Sequence, residues 1–151
     1  MPVVPLTPDL RRRLVTAARK AVRMSYSPYS KFKVGAAILT DTGRIYSGCN
    51  VENASYGLCN CAERTAIFTA VAAGERRLRA VAVYTPTPVA TMPCGACRQV
   101  ISEFGPEAVV VSVCDGKERL ETVIPALLPA AFGPHDLGVR ETNPPQPRRR
   151  R

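Results

Sequence analysis

Cys94 and Cys97 lie three positions apart at the expected start of a helix. Residues with this spacing share one face of a helix, with their Cβ atoms about 5–6 Å apart. Two sulfur ligands of one zinc ion lie about 3.8 Å apart, because each Zn–S bond is roughly 2.3 Å long and the angles are tetrahedral. The pair therefore indicates a metal site, although redox motifs share the same spacing.

Cys61 and Glu63 place a third thiol and a carboxylate in the first turn of a second expected helix. Three protein ligands leave a fourth position for water, which is typical of a catalytic zinc site and not of a structural one. We therefore expect Cys61, Cys94 and Cys97 to converge on one zinc ion. Glu63 is then placed to take a proton from the water.

These residues also have simpler explanations. Glu63 could belong to a capping box with Asn60, three positions before it. Cys59 could join the other three cysteines in a closed four-thiolate site, which is more usual in small zinc-ribbon modules. The single histidine, His135, is expected at the surface and not as a ligand.

Asn50 and Glu52 lie two positions apart in the loop before Cys61, so both can point to one side of an extended segment. An amide and a carboxylate in this arrangement can donate to and accept from vicinal hydroxyls, as on a ribose. Taken alone, the pattern also fits a solvated loop.

The composition limits the class of protein. The chain has 151 residues and a net charge of +9, and 46% of its residues are hydrophobic, which fits one globular domain and excludes a disordered chain. No apolar run approaches the ~18 residues of a membrane span, and prolines interrupt the N-terminus where a signal peptide would have its apolar core. We expect a cytoplasmic protein that does not bind membranes.

Four of the positive charges are the terminal residues 148–151, which follow a proline-rich stretch. We expect residues 1–138 to form the domain and residues 139–151 to form a disordered tail. Binding of nucleic acid or another anionic surface by the tail is the alternative. Nucleic acid is not expected as the protein's main partner.

Helical and strand patterns alternate along the chain. Helices are expected from Thr7 to before Ser25 and over residues 61–73, 94–104 and 124–128; strands are expected over residues 33–39, 44–47, 80–84, 109–113 and 118–122. This order predicts one mixed five-stranded sheet in a three-layer α/β/α sandwich. The two middle helices follow a strand or loop, so their N-termini should lie along one edge of the sheet.

Four sequence blocks resemble those of the small zinc-dependent cytidine deaminases, in the same order. They are PYSKFKVGAA (28–37), GCNVENA (48–54), CAERTA (61–66) and PCGACRQ (93–99), and the resemblance continues to residue 134. It implies a cytidine deaminase-like fold with one zinc ion per subunit. It also implies hydrolysis of free cytidine and deoxycytidine to uridine and deoxyuridine, with release of ammonia, in pyrimidine salvage.

The resemblance implies a role for each matching residue. Cys61, Cys94 and Cys97 would be the zinc ligands and Glu63 the catalytic proton shuttle. Because three thiolates outweigh the charge of one zinc ion, we expect Arg64 to pair with a ligand sulfur.

The implied substrate-binding residues surround this centre. Asn50 and Glu52 would hold the ribose hydroxyls, Phe32 would flank the base, and the Ala62 N–H would meet the pyrimidine carbonyl. The remaining substrate-binding residues are Ala54, Tyr56 and Phe132. Phe132 would close the pocket of a neighbouring subunit, and Tyr56 would also cross an interface, since small members of the family are homotetramers with shared active sites.

Three rival functions remain open at this point. Deaminases of polynucleotides or of deoxycytidylate generally carry His-x-Glu where this chain has Cys61-Ala62-Glu63. A blasticidin-type deaminase also uses three cysteines, but Phe32, Asn50 and Asn53 favour a plain nucleoside. A zinc-binding or nucleic-acid-binding protein without enzymatic activity is the rival from another class.

Overall fold

A computed structural model describes residues 5–139 of the chain. The tail expected at residues 139–151 therefore lies outside the described residues, apart from Val139. The helices are α1 (Pro8–Ala21), α2 (Ala62–Ala72), α3 (Gly95–Phe104) and α4 (Ile124–Leu127). The strands are β1 (Gly35–Thr40), β2 (Ile45–Cys49), β3 (Leu78–Tyr84), β4 (Val109–Val113) and β5 (Arg119–Val123). Single turns of 3₁₀ helix lie at Val22–Met24, Tyr56–Leu58 and Pro134–Leu137.

The strands form one mixed sheet in the order β2-β1-β3-β4-β5. The β1–β2 hairpin turns at Gly43, whose φ of 83° suits a residue without a Cβ. β3 and β4 are parallel, and the other neighbouring strands are antiparallel. The crossover between the parallel strands contains α3, so the thiols at the start of α3 lie near the end of β3.

Each face of the sheet packs against different helices, because side chains alternate along a strand. α1 covers one face, where the buried core is Leu10, Leu14, Ala18, Ala37, Leu39, Ala80, Ala82, Tyr84, Val111 and Val113. α2, α3 and α4 supply the core of the other face, which is Ile38, Ala66, Ile67, Ala70, Leu78, Val81, Val83, Ile101, Ala108, Val110 and Ile124. These layers confirm the predicted α/β/α sandwich.

Helix α1 begins where the sequence predicts. The Thr7 side chain accepts a hydrogen bond from the Leu10 N–H at 3.2 Å, and Pro8 and Asp9 occupy the first turn. The helix ends in the 3₁₀ turn Val22–Met24, immediately before the serine- and proline-containing loop. None of the helices in the described part of the chain is long and apolar enough to span a membrane.

Gly48 sets the distance between α2 and the sheet. A Cβ at Gly48 would lie 2.5 Å from the Ala66 backbone nitrogen, so only glycine permits this approach. β2 also extends to Cys49, two residues beyond the predicted end, because Gly48 and Cys49 pair with Ala36 and Gly35. The close contact fixes α2, and with it the thiol and carboxylate of its first turn.

Candidate active site

Two helix starts supply the three thiols. Cys61 is the N-cap of α2 and Cys94 is the N-cap of α3, and both have extended backbone angles. Cys97 lies one turn further along α3 and is fully buried. Helix N-termini carry a positive partial charge, so the first turns of α2 and α3 attract negatively charged groups to this site.

The three sulfur atoms fit a zinc ion. The ligand atoms of Cys61, Cys94 and Cys97 all lie within 4.8 Å of one another. The Sγ atoms of Cys61 and Cys94 are 3.7 Å apart, close to the roughly 3.8 Å expected for two sulfurs on one tetrahedral zinc. Cys94 is exposed, so the cluster is reachable from solvent on that side.

Cys59 does not belong to this cluster. Its Sγ lies 3.4 Å from the Asn53 backbone nitrogen and 3.7 Å from the Asn53 carbonyl oxygen, and the metal-binding group contains the other three cysteines alone. The four-thiolate alternative is therefore wrong for the described residues.

Arg64 lies beside the thiols. Its Nη2 donates to the Cys61 Sγ at 3.3 Å. Hydrogen bonds from Cys97 and from Arg64 lower the pKa of the Cys61 thiol to about 5. The pKa of Cys97 is raised, because Cys97 donates its proton to Cys61 and is itself buried. Negative charge thus accumulates on the sulfur that the guanidinium faces.

Glu63 is a buried carboxyl group in the first turn of α2, with 4% of its surface exposed. Burial raises its pKa above the usual range, and the neighbouring Cys61 thiolate acts in the same direction. A carboxyl group tuned in this way is suited to moving protons at neutral pH. The capping-box alternative is wrong, because Cys61 is the N-cap and the Asn60 amide donates instead to Thr65 at 3.0 Å.

Asn50 is buried and held by the loop that precedes β1. Its Oδ1 accepts from the Ser25 hydroxyl at 2.5 Å and from the Val34 N–H at 2.9 Å. Its Nδ2 donates to the Phe32 carbonyl at 2.7 Å. These partners fix which end of the amide is the donor.

Glu52 faces the same loop as Asn50. The backbone N–H groups of Tyr29 and Ser30 donate to its Oε1 at 3.0 and 3.1 Å, and the Ser30 hydroxyl donates to its Oε2 at 2.5 Å. The hydrogen bond from Ser30 lowers the pKa of Glu52. The structure therefore brings the amide and the carboxylate to one loop, as their spacing predicts.

The remaining substrate-binding candidates differ in where they lie. Phe32 belongs to the loop that holds Asn50 and is 41% exposed. Ala62 is the first residue of α2, so its N–H has no partner within the helix. Ala54 is exposed in the bend after Glu52. The exposed Tyr56 ring packs edge-on against Tyr29, with centroids 5.8 Å apart.

Phe132 lies on a different part of the surface. It is 59% exposed and lines a groove with Arg76 and Phe104, which are not residues of the thiol cluster. Its carbonyl accepts a hydrogen bond from the Gln99 amide at 2.8 Å, which ties this C-terminal segment to α3. His135 is exposed beside Asp136, as expected.

Two contact residues were missed from the sequence. Ser25 and Ser30 hold the side chains of Asn50 and Glu52, yet in sequence they indicate only the end of the first helix. The available signal was a run of hydroxyl side chains over residues 25–30, shortly before β1. In the sequence, Asn50 and Glu52 follow β2 without an evident hydrogen-bond partner. Serine hydroxyls are frequent partners of loop amides and carboxylates.

Three thiolate donors at two helix starts, beside a buried carboxyl group, define a catalytic type of zinc site in an α/β/α sandwich. The family model described as the cytidine and deoxycytidylate deaminase zinc-binding region matches residues 8–113. The chain belongs to this deaminase family.

Individual relatives match this chain over most of their own length. Cytidine deaminase from Sporosarcina psychrophila is 48% identical over 126 residues, which cover 83% of this chain and 93% of the relative. The crystal structure of cytidine deaminase from Burkholderia pseudomallei is 52% identical with a TM-score of 0.77, covering 80% of this chain and 98% of that one. The enzyme from Mycobacterium tuberculosis is 42% identical with a TM-score of 0.71, covering 82% and 97%.

Proposed function

We propose that this chain hydrolyses free cytidine and deoxycytidine to uridine and deoxyuridine, with release of ammonia, in pyrimidine salvage. The observation that carries this proposal is the placement of three converging thiols beside the buried Glu63, in a chain that matches the deaminase family over residues 8–113. Relatives named as cytidine deaminases, at 48% and 52% identity, support cytidine as the substrate.

Cys61, Cys94 and Cys97 would hold the zinc ion, as their sulfur spacing supports. When bound, zinc supplies hydroxide at neutral pH, because it lowers the pKa of a coordinated water to about 7. Arg64 offsets the negative charge of the thiolates through its hydrogen bond to Cys61.

Glu63 carries the protons of the reaction. It takes one from the attacking water and delivers it to N3 of the base, which makes C4 more electrophilic. After water has added at C4, Glu63 carries the proton of the new C4 hydroxyl group to the exocyclic nitrogen. The C4–N bond then breaks, ammonia leaves and the C4 carbonyl forms. Its raised pKa, which follows from its burial, supports this double role.

The loop residues bind the rest of the nucleoside. Asn50 and Glu52 hold the sugar, and Phe32 flanks the base. The Ala62 N–H, which has no partner within α2, meets the pyrimidine carbonyl, and Ala54 completes the wall. Asn50 and Glu52 are joined by hydrogen bonds to the segment of residues 25–34, which contains Phe32, and this supports a common role for these three.

The assembly is proposed to be a homotetramer with shared active sites in the cytoplasm. Tyr56 and Phe132 are 73% and 59% exposed, which supports their burial against neighbouring subunits. All six cysteines are free thiols, which supports a reducing compartment.

A spectrophotometric assay tests the proposed function. Purified protein is given cytidine, deoxycytidine, blasticidin or a cytosine-containing oligonucleotide, before and after treatment with a zinc chelator. We expect conversion of the two nucleosides alone, its loss on chelation and its return with added zinc. Turnover of the oligonucleotide or of blasticidin in preference to cytidine, or no turnover at all, would overturn the proposal.

A further inference from the structure

Glu52 receives three hydrogen bonds from a single turn of the chain. Two come from the backbone N–H groups of Tyr29 and Ser30, and the third comes from the Ser30 hydroxyl at 2.5 Å. The turn closes through a hydrogen bond from the Lys31 N–H to the Ser27 carbonyl at 3.1 Å. The carboxylate is therefore fixed at both oxygens, although it lies near the surface.

These contacts leave little free hydrogen-bonding capacity. An ionised carboxylate has about four acceptor positions, and the turn fills three, so one position remains on Oε2. Asn50 has both acceptor positions of its Oδ1 filled, by Ser25 and Val34, and donates one of its two N–H bonds to Phe32. Within the described residues, the pair thus offers a substrate one acceptor and one donor.

One acceptor beside one donor matches a single hydroxyl group, which can donate to Glu52 and accept from Asn50. Cytidine and deoxycytidine share only one secondary hydroxyl on the sugar, at the 3′ position. The one free acceptor on Glu52 and the one free donor on Asn50 therefore favour binding of the 3′-hydroxyl.

Ser30 occupies one of the two acceptor positions on the Glu52 Oε2 and leaves the other free. Its only hydroxyl proton is donated to Glu52, and its oxygen accepts from the Phe32 N–H at 3.0 Å. Ser30 therefore has no donor left for a substrate, and its hydroxyl proton acts on recognition through Glu52. Without its hydroxyl, Oε2 would lose the partner that holds the carboxylate plane in place.

We infer that Ser30 is a positioning residue for substrate recognition: its hydroxyl orients Glu52 so that the carboxylate keeps one acceptor position for the 3′-hydroxyl of the sugar. This inference rests on the proposed nucleoside deaminase function. It assigns part of the discrimination at the 3′ position to a residue that acts by orienting Glu52.

The test compares cytidine with 3′-deoxycytidine in four proteins: the parent chain, Ser30→Ala, Ser30→Thr and Ser47→Ala. Ser47 is a matched control, because it is exposed in the edge strand β2, outside the turn that holds Glu52. The quantity measured is kcat/KM for each nucleoside, and zinc content is measured for each protein.

In Ser30→Ala we expect kcat/KM for cytidine to fall about tenfold, mainly through KM, as for loss of a hydrogen bond to a charged group. The kcat/KM for 3′-deoxycytidine should change much less. The preference for cytidine over 3′-deoxycytidine should therefore become smaller than in the parent chain. Ser30→Thr should restore the ratio, and Ser47→Ala should leave it as in the parent.

Other results overturn the inference. An equal loss for both nucleosides in Ser30→Ala would show a general structural role, and an unchanged ratio would show that Glu52 needs no orienting partner. A parent chain that converts cytidine but shows no preference over 3′-deoxycytidine would also overturn it, with the proposed function intact. A parent chain that converts neither nucleoside would overturn the proposed function itself.

Discussion

Cys61 and Cys94 each serve two purposes, since each ends a loop as a helix N-cap and also presents a sulfur to the metal-binding cluster. Neither thiol forms a capping hydrogen bond, so the helix ends give up that stabilisation. In return, the positive helix ends and the Arg64 guanidinium surround sulfur atoms that must be ionised to bind zinc. The residue types at these positions thus follow metal chemistry more closely than helix propensity.

The first prediction at this scale concerns Glu63. Glu63→Gln keeps the size of the side chain but cannot exchange protons, so deamination of cytidine should fall by roughly 10²–10⁴-fold or more. Zinc content should stay at the parent level, because Glu63 is not one of the three clustered ligands. Measured zinc stoichiometry and turnover decide the matter, and parental turnover in Glu63→Gln would contradict the proton-shuttle role.

A second prediction concerns Arg64. Arg64→Gln removes the guanidinium that donates to the Cys61 sulfur, so zinc affinity or activity should fall by about 10–100-fold, as for other partners of metal ligands. Arg12→Gln is the matched control, because Arg12 is exposed on α1 and pairs only locally with Asp9. Competition with a chromogenic chelator measures the affinity. Equal zinc affinity and turnover in both variants would contradict a role for Arg64 in supporting the metal site.

At the scale of elements, the site depends on how closely α2 lies against the sheet. β2 contributes Gly48 at this contact, and the loop after β2 leads into Asn50 and Glu52. One short strand therefore fixes both the helix that carries Cys61 and Glu63 and the start of the loop that would hold the sugar. Displacing α2 should disturb both halves of the site.

Gly48→Ala tests this contact. The added Cβ would lie 2.5 Å from a backbone nitrogen of α2, so the helix must shift, and overpacking of this kind lowers the free energy of unfolding by about 1–3 kcal/mol. Gly57→Ala adds the same atom where nothing lies within 4 Å and should change stability little. Denaturant unfolding of the zinc-loaded proteins measures both. Equal stability of the two variants would show that α2 can relax freely.

The elements could be predicted from the sequence where a local pattern determines them. The valine-rich strand Val109–Val113 is observed as predicted, and Thr7 with Pro8 marks the start of α1. The end of β2 could not be predicted, because Gly48 and Cys49 join the strand through pairing with β1 and carry no strand pattern of their own.

The site could be predicted only in part, for a related physical reason. Residue types and spacing indicated the three thiols and Glu63, since metal chemistry restricts which side chains can serve. The partners of Glu52 could not be predicted, because two of its three hydrogen bonds come from backbone N–H groups more than twenty positions away. Backbone donors leave no trace in residue type.

At the scale of the whole molecule, exposed aromatic side chains remain to be explained. Tyr56 and Phe132 present large apolar surfaces to solvent, and Phe132 lies on a groove apart from the thiol cluster. A tetramer in which Phe132 reaches a neighbouring site would bury this surface and complete the pocket. The chain taken singly would then have an incomplete site.

Mixed tetramers test this sharing. Glu63→Gln subunits retain Phe132, and Phe132→Ala subunits retain Glu63, so each variant alone should have low activity. Random assembly of equal amounts should place both intact residues in roughly a quarter of the sites, and activity should rise accordingly. Co-refolded mixtures are compared with unmixed samples in the cytidine assay. Activity equal to the mean of the two separate variants would contradict a shared site.

The coordination of the metal tests the central claim most directly. X-ray absorption at the zinc edge of fresh, reduced protein, combined with elemental analysis, counts the ions per chain and their sulfur neighbours. The account predicts one zinc ion per chain with three sulfur ligands and one lighter ligand. A chain without stoichiometric zinc, or a zinc ion with four sulfur neighbours, would contradict it.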